Sequence, residues 1–239
     1  MDNRQLLIDS LNKMGISISE KQTQQFFDYK NLLLQWNEKM NLTAITDAGE
    51  VVIKHFADSV SILSAVKIEE GAQIIDVGTG AGFPGLPVKI VRPDLKVTLL
   101  DSLNKRIGFL NEVCTQLELE NVDNIHSRAE DGGQNPVFRE KFDYCLSRAV
   151  ANLSVLSEFC LPFVKVGGSF ISLKGPDVEQ EVSEGETAIS KLGGKVEQVI
   201  KIEIPNSDIT HSLVIIKKIA NTPKVYPRKA GTASKKPIK

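Results

Sequence analysis

Apolar residues follow two different periods along this chain. Up to about residue 66 they recur at helical spacing in three stretches, and the last of these covers residues 50–66. Ser19 and Gln22 have the spacing of a capping box, which predicts the start of the second helix. We therefore predict a helical N-terminal extension over residues 1–66.

From residue 73 onward, short apolar runs alternate with helical patterns. Five runs predict strands: QIIDV, KVTLLD, NIHS, FDYCLS and GSFISLKG. Near-continuous apolar strands separated by helices, one of them a short helix near residues 135–140, are typical of a parallel sheet covered on both faces. The last two runs, KVEQVIKIEI and HSLVIIKKI, lie too close together for a crossover helix, so they predict an antiparallel pair. We predict an α/β domain over residues 67–220, with a mostly parallel seven-stranded sheet.

The composition is typical of a globular protein with a core of its own: 239 residues, 41% hydrophobic and 25% charged. The first residues lack the features of a signal peptide, and no apolar run reaches the roughly 20 residues of a membrane helix. The cysteines, Cys114, Cys145 and Cys160, are odd in number and lack metal-site spacing. We expect a monomeric, cytoplasmic protein without a bound metal.

The stretch DVGTGAGFPG, residues 76–85, directly follows the first predicted strand. Ligands bind at the carboxyl ends of parallel strands, and Gly78, Gly80 and Gly82 allow the backbone to approach one closely. A phosphate-binding loop would continue with Gly-Lys-Ser or Gly-Lys-Thr, whereas Phe83 and a proline follow here. The spacing G-x-G-x-G also differs by one residue from the dinucleotide fingerprint.

Two aspartates accompany this loop. Asp101 ends the second strand, where a carboxylate accepts hydrogen bonds from the ribose hydroxyls of an adenosine cofactor, including a nicotinamide dinucleotide. Asp76 ends the first strand. It either favours the cationic end of a ligand or accepts hydrogen bonds from the loop's own amides.

The glycine loop, the two acids and the antiparallel end of the sheet together resemble the class I S-adenosylmethionine-dependent methyltransferases, which have a Rossmann-like fold. Further motifs occur in order along the chain: WNEKMNLT, KHFADS, DVGTGAGFPGLP, DSLNKRIGFL, RAE, SRAVANL and TPKVYPRKAG. The chain thereby resembles the RsmG (GidB) family, whose members methylate N7 of a guanosine in bacterial 16S ribosomal RNA. Lys54 stands where the family usually has Arg, and Ala233 where Pro is usual.

The resemblance implies S-adenosylmethionine as the cofactor and the small ribosomal subunit or its RNA as the partner. The cofactor-binding residues that we predict from the loop and the resemblance are Asp76, Gly78, Gly80, Gly82, Phe83, Asp101, Ala129, Glu130 and Arg148. Arg148 is also the candidate catalytic residue, at the mouth of the cleft. The alternative for Arg148 is a structural ion pair.

The C-terminal residues are strongly basic. From Lys217 onward there are eight basic residues and no acidic one, so the rest of the chain carries a net charge of −9. Such a segment suggests a polyanionic partner. Residues 221–239 show no core-forming pattern, and we expect the cofactor pocket to be built without them. The alternative is a structural segment that Pro223, Tyr226 and Pro227 pin against the domain. RNA contacts are predicted at Lys105, Arg106, Arg128, Lys224, Arg228 and Lys229.

The implied chemistry needs no nucleophile or general base. Guanine N7 carries a lone pair and no proton, so methyl transfer requires alignment and a suitable electrostatic environment. Cys145 alternates with strand residues and is predicted to pack in the core. His55 shares a helix face with Ser59, and because no second metal-type ligand accompanies it, a structural or RNA-contacting role is favoured over a zinc site. Three alternatives stay open: a nicotinamide-dependent oxidoreductase, a non-catalytic RNA-binding module and a small-molecule methyltransferase.

Overall fold

The computed structural model describes residues 2–148 and 151–239 and contains one seven-stranded sheet. The strands are β1 (Gln73–Val77), β2 (Lys96–Asp101), β3 (Val122–His126), β4 (Phe142–Arg148), β5 (Val164–Lys174), β6 (Gly194–Glu203) and β7 (Thr210–Lys218). Their order is β3-β2-β1-β4-β5-β7-β6. Strands β1 to β5 are parallel, and β7 runs antiparallel to both β5 and β6. The predicted α/β class and its antiparallel end are confirmed.

Helices cover both faces of this sheet. They are α1 (Asn3–Lys13), α2 (Glu20–Met40), α3 (Ala48–Val51), α4 (Asp58–Val60), α5 (Ile62–Ala65), α6 (Gly85–Val91), α7 (Asn104–Gln116), α8 (Ala129–Gln134), α9 (Leu153–Cys160), α10 (Glu179–Lys191) and α11 (Thr232–Lys235). A π-helical turn, Val52–Ala57, joins α3 to α4, and a 3-10 turn, Leu161–Phe163, follows α9. Within residues 2–148 and 151–239, no helix combines the length and apolarity that crossing a membrane requires.

Two helix predictions need correction. The helix expected over residues 50–66 is present but not uniform, since short α-helical segments flank the π-helical turn Val52–Ala57. The sequence does not reveal this turn because its inward face stays largely apolar. The short helix expected near residues 135–140 is instead α8, which ends at Gln134. Asn135 precedes a proline, and a residue in that position disfavours helical geometry.

Successive residues of the central strands pack on opposite faces of the sheet. Ile74 belongs to the core formed with the N-terminal helices, α6 and α7. Ile75 belongs to the core formed with α9 and α10. This alternation follows from the two-residue period of a strand.

The N-terminal extension packs directly against the glycine loop. The predicted capping box is confirmed, since Ser19 accepts from the Gln22 amide and the Gln22 side chain accepts from the Ser19 amide. From the same helix, the ring of Tyr29 stacks at 5.4 Å on Phe83, and its hydroxyl donates to the carbonyl of Ala81. The extension therefore supports the loop that follows β1.

The C-terminal segment, residues 221–239, is packed on the domain. The expectation that it has no core-forming pattern is wrong, because Thr222, Ala233 and Ile238 are buried. The Arg139 guanidinium donates to the carbonyls of Thr222 and Tyr226 at 2.7 and 2.9 Å. The packing of this segment is hard to predict from the sequence, because its buried residues are far apart in the chain and are separated by lysines and prolines.

Candidate active site

The glycine loop is held in place by the two aspartates that flank it. Gly78 and Gly80 have φ values of +72° and +63°, a backbone region that favours glycine. The Asp76 carboxylate accepts from the Gly85 amide at 2.8 Å and from the Thr79 hydroxyl at 2.7 Å. The Asp101 carboxylate accepts from the Gly80 amide at 2.9 Å.

Asp76 lies fully buried beneath this loop. Burial raises the pKa of Asp76 to about 6, although the hydrogen bonds from Thr79 and Gly85 favour the ionised form. Its Oδ1 has no hydrogen-bond partner among the described residues. Asp76 thus stabilises the loop, while a role toward the cationic end of a ligand stays a prediction.

A cavity of about 430 Å³ opens beside the loop at the carboxyl edge of the sheet. We call it the glycine-loop cavity. The predicted site residues that line it are Gly78, Asp101, Arg106, Arg128, Ala129, Glu130 and Arg148. Leu100, Leu156 and Phe159 give it apolar surface. The structure therefore brings together loops that follow four successive strands of the sheet, β1 to β4.

Asp101 has an almost fully buried side chain at one side of this cavity. Its Oδ1 accepts from the Leu103 amide at 2.9 Å, and Arg106 Nη1 lies 3.2 Å from its Oδ2. Arg106, which we predicted as a phosphate contact, is therefore paired with the acid at the end of β2. Arg128, at the rim of the cavity, is exposed.

The C-terminal segment forms part of the cavity wall. The Gly231 amide donates to Glu130 Oε1 at 2.9 Å, and both Gly231 and Ser234 line the cavity. The expectation that the pocket is built without residues 221–239 is therefore wrong. Sequence reasoning missed Gly231 and Ser234 because a contact over 101 positions leaves no local pattern.

Arg148, at the end of β4, joins the cavity to the N-terminal helices. Its Nη1 donates to Asp58 Oδ2 at 2.9 Å and to the Lys54 carbonyl at 3.0 Å. Its guanidinium carbon lies 4.9 Å from the centroid of the Phe83 ring. Arg148 therefore makes the ion pair that we gave as its alternative role, and it also lines the glycine-loop cavity.

His55 is neutral in this environment. His55 Nδ1 lies 3.1 Å from Arg148 Nη2 and 3.1 Å from the Lys54 carbonyl, and Nε2 lies 2.8 Å from the Thr43 hydroxyl. Because a guanidinium only donates and a carbonyl only accepts, Nδ1 bonds to Arg148 in one neutral tautomer and to Lys54 in the other. Burial, followed by the charge of Arg148, lowers the pKa of His55 to about 4. No group of three or more metal-type side chains occurs among the described residues, so His55 has no zinc partners there.

A second cavity, of about 460 Å³, lies on the other side of Arg148. We call it the β5 cavity, because Leu173, Lys174 and Gly175 at the end of β5 form part of its lining. Its polar residues are Lys54, His55, Asp58, Arg148, Lys174 and His211. Asp58 is central, since its Oδ1 lies 2.7 Å from His211 Nδ1 and its Oδ2 accepts from Arg148.

The glycine-loop cavity fits an adenosine cofactor without phosphates. A Cβ on Gly78 would meet no atom within 4 Å, so the backbone there borders open space that a ligand can fill. Asp101 and Glu130 supply carboxylate acceptors for hydroxyl and amino groups. Leu156 and Phe159 supply apolar contacts for a base.

Comparison with known proteins identifies the family. The family model described as "GidB: rRNA small subunit methyltransferase G" matches residues 22–210. The chain belongs to this family. It is 55% identical over 239 residues to Ribosomal RNA small subunit methyltransferase G of Alkaliphilus metalliredigens, covering 100% of both chains. It is 53% identical over 234 residues to the protein of the same name from Clostridium perfringens, covering 98% of each.

Solved structures of low sequence identity share the fold. A SAM-dependent methyltransferase from Aquifex aeolicus aligns with a TM-score of 0.54 at 19% identity, over 74% of this chain and 96% of that one. M. jannaschii TYW2, crystallised with AdoMet, aligns with a TM-score of 0.52 at 16% identity, over 63% and 71%. At these identities the likeness supports the methyltransferase fold alone.

The remaining predicted residues of this GidB family member lie in different surroundings. Gly80, Gly82 and Phe83 shape the loop, and Phe83 is buried between Tyr29 and Arg148. Lys105, Lys224 and Lys229 are exposed. Arg228 pairs with Glu158 at 2.6 Å. Ala149 and Val150 of the SRAVANL motif lie outside the described residues.

Cys145 is fully buried in β4. Burial raises the pKa of its thiol well above the usual range, which disfavours the nucleophilic thiolate. This environment agrees with the predicted packing role.

Proposed function

We propose that this protein transfers the methyl group of S-adenosylmethionine to N7 of a guanosine in small-subunit ribosomal RNA. The observation that carries the proposal is 55% identity over the full chain to a relative named for that RNA. The glycine-loop cavity supports it, because its acids and apolar side chains suit a phosphate-free adenosine cofactor.

In this proposal Asp101 accepts from the ribose hydroxyls and the loop at Gly78 borders the methionine part of the cofactor. Ala129 and Glu130, at the start of α8, border the adenine, and Arg148 lies at the reactive end. The bound cofactor supplies an electrophilic methyl group on a positively charged sulfur. Every other contribution comes from the chain, which aligns the acceptor and excludes water.

The low basicity of His55 suits this chemistry. The acceptor N7 has a free lone pair, so no side chain has to remove a proton before attack. The pKa of His55, lowered to about 4, makes it a poor base. The side chains around Arg148 therefore position the reacting groups and set the charge of the site, and none of them needs to remove a proton.

Exposed basic residues on the surface suit an RNA substrate. Lys105, Arg128, Lys224 and Lys229 are proposed phosphate contacts, because their side chains are exposed. Arg106 and Arg228 are proposed to act in the fold, since each is paired with a carboxylate. The non-catalytic RNA-binding alternative is the outcome expected if RNA binds without turnover.

The test is to map N7-methylguanosine in 16S ribosomal RNA from cells with and without this protein. Purified protein is then given methyl-tritiated S-adenosylmethionine with unmodified small subunits, or with the free RNA. We expect the label at one guanine of the RNA, and cleavage specific for N7-methylguanosine locates that nucleotide. Label on a small molecule, on an exocyclic amine or nowhere would overturn the proposal.

A further inference from the structure

We propose that the β5 cavity receives the target guanine and that Asp58 recognises its Watson–Crick edge. This inference rests on the proposed function, and it names the place and the residue by which the substrate base is selected. The cavity is a site distinct from the glycine-loop cavity, although Arg148 lines both.

The location follows from the shared residue. Arg148 ends β4 and Lys174 ends β5, two adjacent parallel strands, so the β5 cavity opens at the same edge of the sheet as the cofactor cavity. Methyl transfer requires donor and acceptor to meet in line at near-contact distance. Because Arg148 lines both cavities, a base in the β5 cavity would lie next to the donor cavity.

A guanine that is paired in an RNA helix would have to leave that helix to enter such a cavity. N7 faces the deep, narrow major groove of A-form RNA, which protein side chains do not reach. Enzymes that modify a base commonly extrude it, hold its Watson–Crick edge by hydrogen bonds and pack its faces against apolar side chains. Leu173 and Ile209 supply apolar lining in the β5 cavity.

Asp58 has the hydrogen-bonding capacity that this edge of guanine requires. Burial opposes its ionisation, yet the hydrogen bond to His211 and the charge of Arg148 hold the pKa of Asp58 below its usual value. Each carboxylate oxygen accepts one bond, from His211 or Arg148, and a carboxylate has about four acceptor sites. Sites therefore remain for two further donors.

Guanine presents those two donors side by side, at N1–H and the N2 amino group. Adenine presents an acceptor at N1, which the Asp58 carboxylate repels. N7 lies on the opposite edge of the purine, so a base held at N1 and N2 keeps N7 free for the methyl group. As N7 gains positive charge, ionised Asp58 and neutral His55 limit the repulsion from Arg148.

Gly175 permits a steric test. It lines the β5 cavity, a Cβ there would meet no atom within 4 Å, and its backbone lies outside the left-handed region. Gly175→Phe fills the cavity without strain. We expect kcat/KM for RNA methylation to fall by at least about 100-fold, while calorimetry with S-adenosylhomocysteine gives an affinity within about twofold of wild type.

A matched control accompanies this variant. Val199→Phe adds an aromatic ring on the exposed face of β6, away from the β5 cavity, and is expected to keep wild-type kcat/KM. Wild-type protein that fails to methylate guanine N7 would refute the proposed function itself. Wild-type activity in Gly175→Phe, or an equal loss of cofactor affinity, would refute the base site alone.

The role of Asp58 is tested on RNA carrying inosine in place of the mapped guanosine. Inosine lacks the N2 amino group and keeps N7, so wild-type kcat/KM is expected to fall about 10- to 100-fold. In Asp58→Asn the overall rate is lower, but the difference between guanosine and inosine largely disappears. An unchanged ratio in the variant would show that Asp58 does not read the base.

Discussion

Arg228 forms a doubly hydrogen-bonded ion pair with Glu158, whose side chain is 1% exposed. The Arg228 Nε lies 2.9 Å from Oε1 and Nη2 lies 2.6 Å from Oε2, while the Arg228 amide donates to Oε1 at 2.8 Å. Glu158 belongs to α9, whose Leu156 and Phe159 line the glycine-loop cavity. The pair therefore fixes the C-terminal segment close to the point where Gly231 contacts Glu130.

Arg228→Met is expected to weaken both the fold and the cofactor site. It leaves the buried Glu158 carboxylate without its charged partner, which costs about 3 kcal/mol, the lower end for buried pairs because Arg228 is a quarter exposed. The released segment moves the wall at Gly231, so affinity for S-adenosylhomocysteine falls. Denaturant unfolding and calorimetry measure the two effects.

Lys229→Met is the matched control, since the neighbouring side chain is exposed. It is expected to change neither stability nor cofactor affinity. If Arg228→Met lost stability and kept wild-type affinity, the C-terminal segment would be a structural element with no influence on the cofactor.

Gly78→Val is expected to abolish cofactor binding at a moderate cost in stability. The positive φ of Gly78 strains a valine by about 1–3 kcal/mol, and the new side chain occupies the space that the ligand needs. Gly15→Val isolates the strain, because Gly15 has a φ of +75° and equally open surroundings after α1. The two variants should melt at similarly lowered temperatures, and calorimetry should detect normal cofactor affinity in Gly15→Val only.

The features predicted correctly from the sequence are those that residues close together in the chain determine. The alternation of apolar strands and helices predicted the sheet, and Gly78 and Asp101 were identified because a glycine loop and a strand-ending acid are local features. Arg228 was predicted to bind RNA because it lies in a basic run, and its partner Glu158 is 70 positions away. The surroundings of Arg148 were missed for the same reason, since Asp58 is 90 positions from it.

The environment of His55 predicts an unusual titration. Burial and the charge of Arg148 hold the pKa of His55 at about 4, below its value in the unfolded chain. Between pH 6.5 and 4 the unfolded chain therefore binds a proton at this histidine that the folded protein lacks, and the contribution of His55 to stability falls as the pH falls through this range. Asp76, whose pKa is raised to about 6 in the folded protein, contributes in the opposite direction. Arg148→Met is expected to raise the pKa of His55, though not fully to 6.5 because burial remains. NMR titration measures it, with His55→Gln assigning the signal, and an unchanged pKa in Arg148→Met would contradict the contact.

The exposed lysines of the C-terminal segment predict the salt dependence of RNA binding. Lys224 and Lys229 lie on its surface, whereas Arg228 is paired with Glu158 and is therefore not expected to contact RNA phosphates. Each phosphate that a lysine neutralises adds about −0.7 to −0.9 to the slope of log affinity against log salt.

The double variant Lys224→Ala/Lys229→Ala is therefore expected to flatten that slope by about 1.4–1.8 if both side chains bind phosphates. Cofactor affinity should be unchanged, because neither side chain lines the glycine-loop cavity.

Lys96→Ala/Lys141→Ala removes the same charge from exposed positions at the amino ends of β2 and β4, the opposite edge of the sheet. Binding of the small-subunit RNA is measured at several salt concentrations for the three proteins. Equal slopes for the two double variants would show that the segment contributes only net charge, while a flatter slope for the first alone places RNA phosphates along it.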